Sequence, residues 1–260
     1  MPESLPIWDL TDLYTDSSTS IQLDLDTAKQ QTEKLVQNEG RLSQMTGAEL
    51  AAVIADYQSV SECLSRIISH ADLQFAADMA DPQTGQHAQG MKEAISGFSS
   101  QLMFIELELA AMDQDDFQQA LSDPDFYHFL PWLRRLRAFA PHQLETRLEQ
   151  MLVERTPAGR GAWIRLFDET ATALRFAFQG TEVTEAEILN KLSEPSADIR
   201  KEAGQSLSKV MQDNQRLFCL ILNVIAKDKE IDDRWRGFNR PVSSRNLAND
   251  VDDATVDALA

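Results

Sequence analysis

Cationic residues are scarce in this sequence: 24 Lys and Arg stand against 42 Asp and Glu, a net charge of -18. A chain so acidic is repelled by nucleic-acid backbones and by anionic membrane surfaces, so neither is an expected partner. Long apolar runs are missing too, and none approaches the roughly 20 residues that span a bilayer. The start, MPESLPIWDL, lacks the basic and apolar regions of a secretory signal. Together these absences point to a soluble, cytoplasmic protein. Cysteine is nearly absent. Cys63 and Cys219 have no CxxC partner and sit in apolar helical patterns, so both are expected as buried reduced thiols.

Motifs that carry chemistry are also lacking. His70, His87, His128 and His142 have no second histidine three or four residues away, and HExxH does not occur. A zinc site needs three or four convergent ligands, so surface or satisfied-core histidines are expected. GxSxG, Walker A and GxGxxG are absent. Asp113, Asp115 and Asp116 lack the Gly turn and terminal Glu of a calcium loop and read as a solvated helix start. Arg134, Arg135 and Arg137 form a short run suited to a carboxylate or phosphate. The plainer expectation is a helix whose arginines pair with the acidic excess. Trp132 and Trp163 read as core aromatics.

What the sequence does contain is helical periodicity, nearly throughout. TDSSTS opens a helix that Gly40 closes, with Leu23, Ala28, Leu35 and Val36 as its apolar stripe. Thr46 and Glu49 make a capping box for a long helix reaching Asp81-Pro82, with a kink near His70. QLMFIELELAAM ends a third long helix, apolar on most faces and so expected to be buried on several sides. Asp113–Pro141 is broken by prolines, and a helix then runs to Arg155, followed by the TPAGRG loop. Leu174, Phe176 and Phe178, a Gln-Gly turn and Val183 predict a short hairpin. Thr184 with Glu187 caps another helix. Ser196 caps a long helical region to Trp235, and Asp250 with Asp253 reads as one more capping box, for a helix cut short. The expected fold is all-α: long packed helices with one short β-hairpin near residues 174–184.

The stretch AKDKEIDDRWRGFNRPVSSR concentrates charge and aromatics. Its six cations face Asp228, Glu230, Asp232 and Asp233, an excess of only two. The alternating signs describe a solvated helix face. Trp235 reads as the anchor of the helix end, Gly237 as its stop, and Pro241 as a bar to resumption.

Several segments, in order, resemble oligoendopeptidase F-type zinc metallopeptidases of the thimet-oligopeptidase superfamily. They are PIWDLTDLY (Pro6–Tyr14), FIELELAAM (Phe104–Met112), YHFLPWLRRLRAFAPHQL, GRGAWIRLFDETATALRF and LNKLSEPSADIRKEA. The most specific is LILNVIAKDKEIDDRWRGFNRPVSSRNLANDV, similar to the family's joint between N-terminal helices and catalytic domain. The resemblance implies hydrolysis of peptide bonds in short peptides. It also implies a zinc held by HExxH and a downstream glutamate, inside a mostly helical shell. No position here matches those ligands, so none is expected in this chain, which is expected to be inactive alone. Residues 1–236 are expected as the helical N-terminal oligopeptidase domain, and 237–260 as the joint and the truncated first helix of the catalytic domain. Arg234, Trp235, Arg236, Gly237, Phe238 and Arg240 are then the candidate inter-domain or channel contacts. The implied partner is the catalytic domain of the same enzyme, with uncovered apolar surface where it docks. The alternative is a stand-alone helical protein-interaction module without catalysis.

Overall fold

Several helix starts in this chain are written by side chains that accept from orphaned backbone amides. The computed structural model describes residues 8–15 and 17–260. Pro6, Ile7 and Asp16, on which parts of the expected opening stretch and first cap fall, lie outside the described residues. Helix α1 (Ser17–Val36) leads through a 3-10 turn (Leu42–Gln44) to α2 (Gly47–Ala77) and α3 (Pro82–Ala111). The expected capping box is present: Thr46 Oγ1 accepts from the Glu49 amide, and Glu49 Oε2 accepts from the Thr46 amide at 2.8 Å. Helix α2 runs unbroken through His70 and stops at Ala77, with Asp81 capping α3 and Pro82 in its first turn.

The proline-rich middle folds into three short helices, α4 (Gln114–Ala120), α5 (Pro124–Tyr127) and α6 (Leu130–Phe139). Asp113 and Asp123 cap the first two, and prolines sit only in first turns, where no amide is missed. Helices α7 (Thr146–Arg155) and α8 (Arg160–Ala173) follow. The expected hairpin is β1 (Phe176–Phe178) against β2 (Thr181–Val183), antiparallel, with Phe176 opposite Val183. Gln179 and Gly180 both take positive φ at the turn, the conformation a two-residue hairpin demands. Then come α9 (Glu185–Lys191), α10 (Ala197–Asp213), α11 (Gln215–Trp235), α12 (Ser243–Ala248) and α13 (Asp253–Leu259). The all-α class with one small hairpin is thus observed. No described helix is long and apolar enough to cross a membrane.

The main core forms around α3. Leu102, Phe104, Ile105 and Leu109 are buried against α1, α2 and α6. On its polar side α3 meets α7 through Ser96 Oγ donating to the Val153 carbonyl and Ser100 Oγ donating to Glu154. A second, smaller cluster joins Phe176, Phe178, Ile188 and Ala203 where the hairpin packs on α9 and α10.

Four expectations are corrected. The α1 stripe is Ile21, Ala28, Thr32 and Leu35; Leu23 points outward at 66% exposure, because one residue's shift turns the helix by about 100°. The region Ser196–Trp235 is two helices, since the chain turns at Asn214, whose side-chain amide donates to the Val210 carbonyl. The cap before the last helix is Asp252, accepting from the Thr255 amide, and Asp250 takes a left-handed φ of 55°. Cys219 is exposed, while Cys63 is half-buried. The periodicity around Cys219 is real, but most of the apolar face it belongs to is not covered.

Ile105→Ala removes a wholly buried side chain from the central helix. It should cost about 2–5 kcal/mol, read by urea denaturation with an unchanged slope. A water-soluble thiol reagent should modify Cys219 well before Cys63, whose thiol is pushed up by burial and by Asp24; equal rates would contradict the packing.

Candidate functional site at the joint

Arg236 follows the last residue of α11 and faces inward, half-buried, against the buried carboxylate of Glu149, which requires a matched cation. Its two terminal nitrogens meet the two carboxylate oxygens of Glu149 on α7, at 2.6 and 2.9 Å. Its Nε donates to Asp232 at 2.8 Å, and Nη1 also donates to the His142 carbonyl at 3.2 Å. In return His142 Nδ1 donates to the Arg236 carbonyl at 2.8 Å, which fixes the imidazole tautomer, since a carbonyl only accepts. Phe238 stacks on the same imidazole, ring centroids 3.9 Å apart. Glu149 accepts a further bond from the Leu144 amide.

The electrostatics follow from these contacts. Burial by itself pushes the Glu149 carboxyl up. The hydrogen bonds from Arg236 and the Leu144 amide, with the attraction of the guanidinium, outweigh it, so the group titrates below the ordinary range. Chiefly through its bonds to Glu149, Arg236 is held well above the usual guanidinium range.

The backbone exit is equally defined. The Phe238 amide donates to the Asp233 carbonyl at 2.8 Å, and the Gly237 amide to that of Arg234 at 3.4 Å, while Gly237 takes φ +72°. This is the paired closure that satisfies the last helical carbonyls, and its left-handed position favours glycine. Asp233 is buried and bound by Lys229, which also donates to Ser244. Beyond Gly237, Arg240 grips Asp257 of α13 with two bonds of 2.9 and 2.6 Å.

The sequence-derived residues therefore divide. Arg236 and Phe238 hold the joint to α7 and to the turn before it, and Arg240 holds α13. Arg234 is mostly exposed beside Glu230, and Trp235 is 62% exposed rather than anchoring the helix end. It lies outward because Arg236 and Asp232 occupy the face toward α7. The charge alternation is not wholly a solvated face either, since Asp233 is buried. Glu149 and His142, the partners of Arg236, carry no local sequence signal; their distance along the chain hides them.

Along α11, Leu220, Val224, Ile231 and Trp235 recur at helical spacing, and Leu220, Ile231 and Trp235 are 50%, 40% and 62% exposed. Ile164 and Phe167 of the neighbouring α8 are also exposed. The whole chain exposes 16828 Å², against about 11,500 Å² for a compact monomer of this mass. Among the described residues no group of three His, Cys, Asp or Glu side chains is placed to hold a metal.

Known proteins give this architecture a context. Residues 108–176 match the family model described as Oligopeptidase F. The chain is similar in structure to oligoendopeptidase-F from Enterococcus faecium, with a TM-score of 0.82 and 16% identity. That match covers 93% of this chain and 49% of the other, so this chain spans about half the length of the structure it matches. A proposed peptidase from Chlamydophila abortus is similar with a TM-score of 0.61 and 14% identity, covering 97% of this chain and 44% of that one. No curated protein matches the sequence. The resemblance read from the sequence to the N-terminal portion of oligoendopeptidase F-type proteins is thus borne out by a family match and by the fold.

Replacing Arg236 by Met strands Glu149 without its partner and should cost about 3 kcal/mol. The depressed Glu149 carboxyl contributes stability that is present above the unfolded value of 4.5 and lost as pH falls through the folded one. Acid-induced unfolding of Glu149→Gln should therefore be shallower below that value than for the parent chain; identical profiles would refute the assignment.

Proposed function

We propose that this chain is the N-terminal helical portion of an oligoendopeptidase F-type metallopeptidase. In the intact, cytoplasmic enzyme it walls one side of the substrate channel and supports the catalytic domain. The observation that carries this reading is the fit of nearly the whole chain onto about half of one oligoendopeptidase-F structure. The exposed apolar stripe on α11 supports it, because solitary domains rarely leave such surface uncovered. Residues 1–236 are then the helical domain and 237–260 the joint into the catalytic half. Arg234 and Trp235 are the joint residues still free to meet that half, since Arg236 and Arg240 are engaged within the chain.

Hydrolysis of short peptides and the zinc that serves it belong to the intact enzyme in this reading. The residues present do not fit a zinc ion: HExxH is absent from the sequence, and the described residues offer no ligand cluster. What this chain supplies is shape and rigidity. Nucleic acid and membrane play no part, given the net charge of -18.

The coding sequence extended past Ala260 should give an enzyme that cleaves a short fluorogenic peptide and loses activity to a chelator. The 260-residue chain with added zinc should not cleave it. A stop codon after Ala260 with no HExxH segment in the locus would sink the proposal, as would chelator-sensitive cleavage by the 260-residue chain alone. Trp235→Arg should also reduce binding of an apolar dye to this chain; strong dye binding unaffected by that change would show that the stripe is not the exposed surface.

A further inference from the structure

The arginine run of α6 is not absorbed by the joint or by the core. None of Arg134, Arg135 and Arg137 takes part in an ion pair among the described residues, contrary to the expectation that they pair with the acidic excess. The helix separates them. Arg135 turns to a cleft beside Trp132 and Glu106. Arg134 and Arg137, one turn apart, line another cleft of about 580 Å³ between α4, α5 and α6.

That second cleft has an unusual lining for so acidic a chain: two arginines and no carboxylate, with Phe117, Leu121 and Leu130 as its apolar wall and Tyr127 at its edge. Arg137 is already fixed in place. Its guanidinium lies over the Phe117 ring at 4.5 Å, Nη1 donates to the Met112 carbonyl at 2.6 Å, and Nη2 donates to Gln114 at 3.0 Å. Those bonds take two of its five donors. A cation held this way loses little freedom when an anion arrives. Arg134 is exposed and free to close on the same anion.

We propose that this cleft binds a small anion, carboxylate or phosphate, carried on an apolar body. The charge is met by Arg134 and Arg137, and the body rests against Phe117, Leu121 and Leu130. This site is separate from the joint and does not depend on the proposed function above.

Phenylacetate and phenyl phosphate share an apolar body and differ in the anion, and phenylacetamide is their neutral counterpart. Binding to the 260-residue chain is followed by NMR titration at low salt. Both anions, or one of them, should bind with millimolar affinity, and the one that binds identifies the anion source. Phenylacetamide should bind at least about tenfold more weakly, since the charge-assisted bonds are lost. Arg134→Gln, an exposed change that leaves helicity by circular dichroism intact, should weaken anion binding at least about fivefold. Arg216→Gln, an equal loss of charge on exposed α11, should not. Equal binding of the neutral probe, no binding of either anion, or equal weakening by Arg216→Gln would overturn the proposal.

Discussion

Helix α3 can be stable only if it is covered from several directions at once, and the rest of the chain is arranged to cover it. Its apolar side is met by α1, α2 and α6. Its serines and Glu108 occupy the remaining directions, through bonds to α7 and to the Gly40 and Leu42 amides. The turn between α1 and α2 is therefore tied to the same helix as the core. The same logic explains why α4 to α6 are short: each crosses part of α2 or α3 and then has to turn, and Asp and Pro supply the turns.

The bend after α11 works on a different principle. Where α11 approaches α7 there is little apolar surface to bury, and Ile221 is the only wholly buried apolar side chain of that helix. Contact rests instead on Arg236, Glu149, His142 and Phe238. Such a set is specific in direction. A guanidinium bound through both terminal nitrogens accepts only a narrow range of carboxylate positions, whereas apolar surfaces tolerate sliding. A strongly acidic chain can use it because one arginine satisfies two carboxylates, Glu149 and Asp232.

Much of the fold was legible in the sequence because its signals are local. Capping boxes at Thr46 and Thr184, the Phe176–Phe178 alternation and the Gly237 stop each involve residues within a few positions. Errors arose where a neighbouring element decides. Leu23 and Leu35 belong to one expected stripe, yet twelve residues set them about 120° apart around α1, and only the side carrying Leu35 is covered. Cys219 is expected to be buried because an apolar helical pattern normally has a partner, and Trp235 is expected to anchor the helix end; both are exposed in this chain. At the joint the sequence pointed to Arg236 but not to Glu149 or His142, since a pairing across some ninety residues leaves no local trace. The arginine run was visible, but its division between two clefts required the phase of α6.

One detail at the end of α11 reaches further than its size. Lys229 binds Asp233 and Ser244, and the carbonyl of Asp233 receives the Phe238 amide. A lysine two turns before the helix end thus touches both sides of the bend and sets its angle. The bend acts as a bracket: its two arms are braced by one ammonium group, and its heel is pressed onto His142. Loosening that brace would remove the tie between α11 and α12 without touching a residue of the main core around α3, so the bend and the core rest on different contacts.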